Sequence, residues 1–187
     1  FSFKKFTTGR GCVHSCSYCF NSLMRVMYRS KGPYIRRKSP ERAVSEVAAV
    51  EQTYGLGNAH FSDDLFITMP DWLEEFAALY RRQVTAGFTC NSSAEAVTER
   101  AVRALALAGC KGVAIGIETG NEQLRMSILN KKVTNEHIRH AAALIKGHGM
   151  KLVTFNIVGA PGETPDDVLD TIRLNQEIGT DIVRVNM

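Results

Sequence analysis

The chain has 187 residues, 44% of them apolar and 22% charged, with a formal net charge of +4. That length fits a single domain over residues 1–187 with a core that needs no disulfide staples, and the composition excludes a disordered chain. No apolar run approaches the roughly 18 residues of a membrane-spanning helix and no charged-then-apolar leader opens the chain, so a cytoplasmic home without a membrane span is expected. The chain opens on Phe1 instead of Met and closes inside a strand-like run, which reads as a piece of a longer protein whose flanking domains lie outside it.

In chain order, strand patterns occur at Phe3 to Thr7, Asn58 to Ser62, Phe88 to Cys90, Val113 to Ile117, Leu152 to Val158 and Ile182 to Val185. Helices with legible punctuation lie between them. Ser39 caps the first and Pro40 opens it, with Val44, Val47 and Ala48 on one face; Pro70 opens the second, which carries Trp72, Leu73, Phe76, Ala77 and Tyr80. Thr98 caps the third, which stops at Gly109; Thr134 caps the fourth, with Ile138, Ala142 and Ile145 ahead of Gly147 and Gly149. Thr164-Pro165-Asp166-Asp167 combines cap, first-turn proline and dipole-favoured acids for the fifth. Alternating strands and helices predict right-handed βαβ units and a parallel α/β sheet, either open and doubly wound or curved into a partial barrel. Both architectures place chemistry just past the C-terminal strand ends.

Five cysteines are an odd count and argue for a reducing compartment. Cys90 and Cys110 each follow a short apolar stretch and read as buried structural thiols. Cys12, Cys16 and Cys19 are different: Gly11-Cys12-Val13-His14-Ser15-Cys16-Ser17-Tyr18-Cys19 puts three thiols into one loop directly after the first strand. Three thiolates can hold a [4Fe-4S] cube while leaving one iron open to a small molecule. A structural zinc would need His14 as fourth ligand and cramp all four donors into one short run. An electron carrier would normally bring a fourth thiolate, and none lies nearby. Six basic residues, Arg25, Arg29, Lys31, Arg36, Arg37 and Lys38, could suit an anionic partner, but a solvated loop face is the better reading. A loop His14 and a strand His60 are read as structural.

The three-cysteine motif, with an aromatic before its last cysteine, resembles the signature of the radical S-adenosylmethionine (SAM) superfamily. Thr8-Gly9-Arg10-Gly11, Phe61-Ser62-Asp63-Asp64, Gly116-Ile117-Glu118-Thr119-Gly120-Asn121-Glu122 and Gly159-Ala160-Pro161-Gly162-Glu163-Thr164 look like its cobalamin-dependent and methylthiotransferase branch. The resemblance implies a partial (β/α)6 barrel, an enzyme in which Cys12, Cys16 and Cys19 ligate the cluster, and SAM bound at the open iron and cleaved to a 5′-deoxyadenosyl radical. Tyr18 would pack near the adenine, Asp63 would accept from the SAM amino group, Glu118 would meet the ribose or the methionine end, and Asn156 and Gly159 would border the adenosine. Where relatives often carry arginine, this chain reads Asn130-Lys131-Lys132, so Lys131 would offer the SAM carboxylate a point charge in place of a bidentate fork. The reactions implied are cobalamin-dependent methylation or oxidative cyclisation, with cobalamin held outside this chain. Methylthiolation of transfer RNA or protein is an alternative, as is a non-enzymatic iron–sulfur electron-transfer module. A small-molecule substrate is expected ahead of nucleic acid, with a reductant such as flavodoxin or ferredoxin.

Overall fold

The computed structural model describes residues 2–187. Six parallel strands form one sheet: β1 (Phe3–Phe6), β4 (Asn58–Phe61), β5 (Gly87–Ser92), β6 (Cys110–Glu118), β7 (Lys151–Ile157) and β8 (Ile182–Asn186), side by side in that order. A separate short antiparallel ribbon pairs β2 (Gly9–Arg10), which follows β1 in the chain, with β3 (Arg36–Arg37). The helices are α1 (Phe20–Met27), α2 (Pro40–Tyr54), α3 (Pro70–Gln83), α4 (Glu99–Leu107), α5 (Glu122–Ser127), α6 (Asn135–Gly147) and α7 (Pro165–Glu177). None of them is long and apolar enough to cross a membrane.

Spatial order follows chain order without reversal. A doubly wound sheet needs a point where the order turns back, and with right-handed crossovers its absence puts the crossover helices on one face and curves the sheet into a half-barrel. All six predicted strands and all five predicted helices are present. Ser39, Thr98, Thr134 and Thr164 each accept a hydrogen bond from the backbone N–H three residues on.

Side chains alternate across the sheet. Phe61 and Phe88 point to the helices, where they join Phe66, Phe76 and Tyr80, all fully buried, with Phe61 and Phe66 stacked at 4.7 Å. Burying each such ring contributes about 1.5–3 kcal/mol. Val113, Ile115 and Ile117 continue this core against α6, together with Cys90 and Cys110, which are buried free thiols as expected. The opposite, concave face is left to line the barrel mouth.

Candidate functional site

The cysteine loop runs from β2 into α1 and is fastened from two sides. Gly11 adopts φ +88°, and a Cβ there would meet the Tyr34 carbonyl, so only glycine turns the chain at this point. Asp63 and Asp64, just past β4, fix the loop's start. Both Asp63 oxygens accept from the Thr8 N–H at 3.0 and 3.2 Å, Oδ1 also accepts from the Thr8 hydroxyl at 3.1 Å and from the Gly9 N–H, and Asp64 accepts from the Gly11 N–H at 3.2 Å. Arg25 of α1 reaches back to the Cys12 and His14 carbonyls. On the far side Ser17 donates its N–H to the Leu129 carbonyl at 3.0 Å and its hydroxyl to the Ile128 carbonyl at 2.7 Å, while Asn130 donates to the Ser15 carbonyl at 2.8 Å.

So held, Cys12, Cys16 and Cys19 open on one cavity of about 250 Å³ at the C-terminal ends of β4, β5 and β6. Burial raises the Cys12 and Cys16 thiols above their ordinary pKa, with Lys131 pulling Cys16 the other way. Such thiols ligate only when a cation displaces their protons. Among the described residues no three His, Cys, Asp or Glu side chains are grouped to hold one metal ion. The three thiols line one cavity, and three thiolates are a donor set that a [4Fe-4S] cube accepts with one iron left open. His14 lines the same cavity, but its Nε2 is engaged by Glu95 Oε1 at 2.7 Å. Burial alone would raise Glu95, but bonds from His14 and Ser93 bring its pKa down to about 2.

Glu118 and Lys131 meet across the cavity wall. Lys131 Nζ donates to Glu118 Oε1 at 2.7 Å, with both side chains buried. Glu118 has φ +60°, a left-handed conformation costing a non-glycine residue about 1–3 kcal/mol. Its strand is irregular between Gly116 and Glu118. A Cβ on Gly116 would fall inside 3.0 Å of both Glu118 Oε1 and Lys131 Nζ, so the glycine makes room for the pair. Arg125, the largest fully buried side chain, secures the segment. It donates to the Ile117 carbonyl at 2.8 Å, the Val133 carbonyl at 2.9 Å, Asn135 Oδ1 at 2.7 Å and the Thr119 carbonyl. One guanidinium thereby ties the strand end bearing Glu118 to the loop bearing Lys131, and burial lowers its pKa to about 10.

Tyr18 also lines the cavity; its ring is half exposed, while burial of its hydroxyl beside Glu118 and Cys16 pushes the phenol pKa up. Asp63 borders the cavity with its carboxylate occupied by Thr8 and Gly9, so it acts first as the anchor of the loop. Two positions expected at the adenosine do not line this cavity. Asn156 is turned to the helix side of β7, donating to Thr154 Oγ1 at 3.1 Å and accepting from Asn175 at 2.9 Å, because alternation gives the concave face to Phe155. Gly159 is exposed with φ +92° in a turn whose N–H donates to Glu163, and it does not line the cavity. Several wall residues were not anticipated, Asn21 and Asn91 among them. Asn21 donates to Asp64 at 2.9 Å and approaches Cys19 Sγ at 3.7 Å, and Asn91 holds a buried Oδ1 with no partner. Asn91 is the last but one residue of β5, where the strand-end rule would have pointed; nothing marks Asn21 in the sequence.

A protein-family model for the radical SAM superfamily matches residues 6–174. The chain belongs to the radical SAM superfamily. It is therefore an enzyme core of a family that uses SAM and a [4Fe-4S] cluster. Among curated proteins, this radical SAM chain is 25% identical over 175 residues to an uncharacterized methyltransferase of Pyrococcus horikoshii, covering 93% of the chain and 37% of that protein. It is 26% identical over 178 residues to a tRNA-2-methylthio-N(6)-dimethylallyladenosine synthase of Lachnoclostridium phytofermentans, covering 91% and 38%. Among solved structures, the radical SAM methyltransferase TsrM from Kitasatospora setae with tryptophan substrate and a SAM analogue superposes with a TM-score of 0.81 at 19% identity, over 100% of this chain and 36% of TsrM. A second TsrM structure, with cobalamin and a [4Fe-4S] cluster bound, gives 0.78 over 98% of this chain and 34% of TsrM at 19% identity. These superpositions show the fold. The chain spans about a third of the length of the relatives it matches.

Proposed function

We propose that Cys12, Cys16 and Cys19 hold three irons of a [4Fe-4S] cluster, that SAM binds at the fourth, and that the chain directs reductive cleavage of SAM toward a small-molecule substrate. The observation that carries this is the convergence of three thiols on one cavity that also holds a buried Glu118–Lys131 pair and an unpartnered Asn91 oxygen. Such polar residues suit a zwitterionic, hydrogen-bonding ligand.

When bound, the cluster supplies the electron that splits the sulfonium into methionine and a 5′-deoxyadenosyl radical. The protein's part is placement and shielding. Lys131 offers the methionine carboxylate a point charge, and Glu118 accepts from the ribose or the amino group. Asp63 holds the turn that sets where Cys12 begins, and Tyr18 walls the adenine side.

Cobalamin-dependent methylation is the favoured reaction, supported by the methyltransferase relative and by the cobalamin in one TsrM structure; the cobalamin would be held outside this chain. Methylthiolation is the second reading, supported by the methylthio synthase relative. A flavodoxin or ferredoxin in the cytoplasm is the proposed reductant. The test is anaerobic reconstitution with iron and sulfide, then electron paramagnetic resonance of the reduced protein with and without SAM. A cluster signal that changes with SAM, accompanied by 5′-deoxyadenosine, is expected; a cluster indifferent to SAM would overturn the proposal. Absence of corrinoid from the full-length protein of cobalamin-fed cells would leave methylthiolation ahead.

A further inference from the structure

The concave face of the half-barrel is built differently from the helix face. On β6 its successive positions are Gly112, Ala114 and Gly116, while Val113, Ile115 and Ile117 fill the core behind. From Gly112 to Gly116 the middle of the sheet thus presents backbone; below it Lys111, at the start of β6, lies over Gly87 of β5, and the other large side chains of this face stand on its flanks. Phe3 stacks on the His60 ring at 6.3 Å, which puts Lys5, two residues on from Phe3, on the same face; His60 Nδ1 lies 2.8 Å from the Thr89 hydroxyl. On the other flank the Arg184 guanidinium lies 5.7 Å from the Phe155 ring, and Phe155 lines the thiol cavity.

Charge on this face is one-sided. The six strands carry a single carboxylate, Glu118, and Lys131 already holds it. Lys151 is matched by Asp181 at 2.7 Å. Lys5 and Arg184 have no carboxylate partner among the described residues. Stacking on Phe155 leaves the planar N–H fork of Arg184 free for a bidentate acceptor.

We infer that this face binds the oxyanion of a small-molecule substrate, a carboxylate or a phosphate, between Arg184, Lys5 and His60, over the bare centre of β6. The inference rests on the proposed function for the idea that a substrate enters here, and it adds the substrate's chemical class.

His60 is a built-in reporter. Burial, with Lys5 and Arg184 facing it, holds the imidazole below its ordinary pKa, opposed only by Asp63; the Phe3 ring and the Thr89 hydroxyl complete its surroundings. A bound oxyanion reverses that balance and draws a proton onto the ring.

The experiment is histidine ¹⁵N NMR of the full-length protein titrated with inorganic phosphate in one arm and succinate in the other. A saturable shift of the His60 resonances is expected, with about tenfold or greater weakening in Arg184→Gln and partial retention in Arg184→Lys. Tighter binding of phosphate or of succinate identifies the group recognised. Should Arg184→Gln fail to fold, Lys5→Gln must show the same direction of loss. No saturable shift with either anion, or unchanged affinity in the folded variants, overturns the inference. Anion binding by protein that assembles no cluster would sink the proposed function alone, and a SAM-responsive cluster in protein whose His60 ignores both anions would sink this inference alone.

Discussion

Replacing Arg125 by methionine keeps the length of the buried side chain and removes its donors. The Ile117 carbonyl retains a bond from the Thr119 N–H at 2.8 Å and the half-buried Asn135 Oδ1 can turn to water, whereas the two buried carbonyls of Thr119 and Val133 lose the guanidinium donors that they have. A buried acceptor left unsatisfied costs about 1–3 kcal/mol, so two cost about 2–6 kcal/mol. Relief of the desolvation that already lowers the arginine pKa to about 10 offsets part of this. The expected net loss is about 3 kcal/mol, a large share of the roughly 5–15 kcal/mol that holds a domain folded. With a urea slope of about 2 kcal/mol/M, the midpoint falls by about 1.5 M. Trp72, the sole tryptophan, is buried in the aromatic core and reports the transition by fluorescence. Wild type and variant must be compared without cluster or SAM, since a bound ligand would add its own stabilisation. Arg125→Lys, with one compact charge in place of a fork, should fall between them. A loss below about 1 kcal/mol would refute the claim that this guanidinium fastens the Glu118 strand end to the Lys131 loop.

The two glycines beside Glu118 should respond differently. Gly120→Ala drives a Cβ into the α7 backbone at Asp170 and Thr171 and should cost about 3 kcal/mol, whereas Gly116→Ala meets only side-chain tips and should cost about 1 kcal/mol while weakening SAM binding by equilibrium dialysis. If the two variants melt together, the contrast is wrong. Glu95 has its pKa depressed to about 2, so its contribution is full above the unfolded value near 4.5 and disappears as pH falls toward 2. Its worth is about 3 kcal/mol at neutral pH. Glu95→Gln should therefore be less stable above pH 5 and converge on wild type near pH 2; parallel curves of melting temperature against pH would contradict this. Iron analysis after reconstitution should show loss of most iron in Cys16→Ser and full retention in Cys90→Ser, which sits in the apolar core; equal iron in both variants would count against the ligand assignment.

Most of the fold was legible because each long element carries its own local instructions. The caps at Ser39, Thr98, Thr134 and Thr164 and the strands between them follow from side chains bonding their own neighbouring backbone. The helix α1 escaped reading because it starts at Cys19 with no side-chain cap and exposes Phe20, Leu23, Val26 and Met27. The β2–β3 ribbon is two residues long on each side, too short for any periodicity. Parts of the site were hidden for a related reason. A polar residue in an apolar strand looks like a ligand contact, but Asn156 found its partners in Thr154 of its own strand and in Asn175, which only the packing of α7 on β7 supplies. The basic stretch looked uniform, yet Arg37 donates to the Phe66 carbonyl at 2.6 Å and the Leu65 carbonyl at 2.5 Å, and Lys38 pairs with Glu46 at 2.5 Å. Those roles depend on segments far along the chain.

The alternation along β6 separates two kinds of evolutionary constraint. Residues 113, 115 and 117 are committed to the core, and any change there is felt as lost stability. Residues 112, 114 and 116 contribute no large side chain to that core, and a Cβ on Gly112 or Gly116 meets neighbours on the concave side. The floor of the mouth can therefore be re-contoured one methyl group at a time, chiefly at Ala114, with the helix-side packing left as it is. A scaffold arranged this way can exchange one substrate for another without first having to become a different fold.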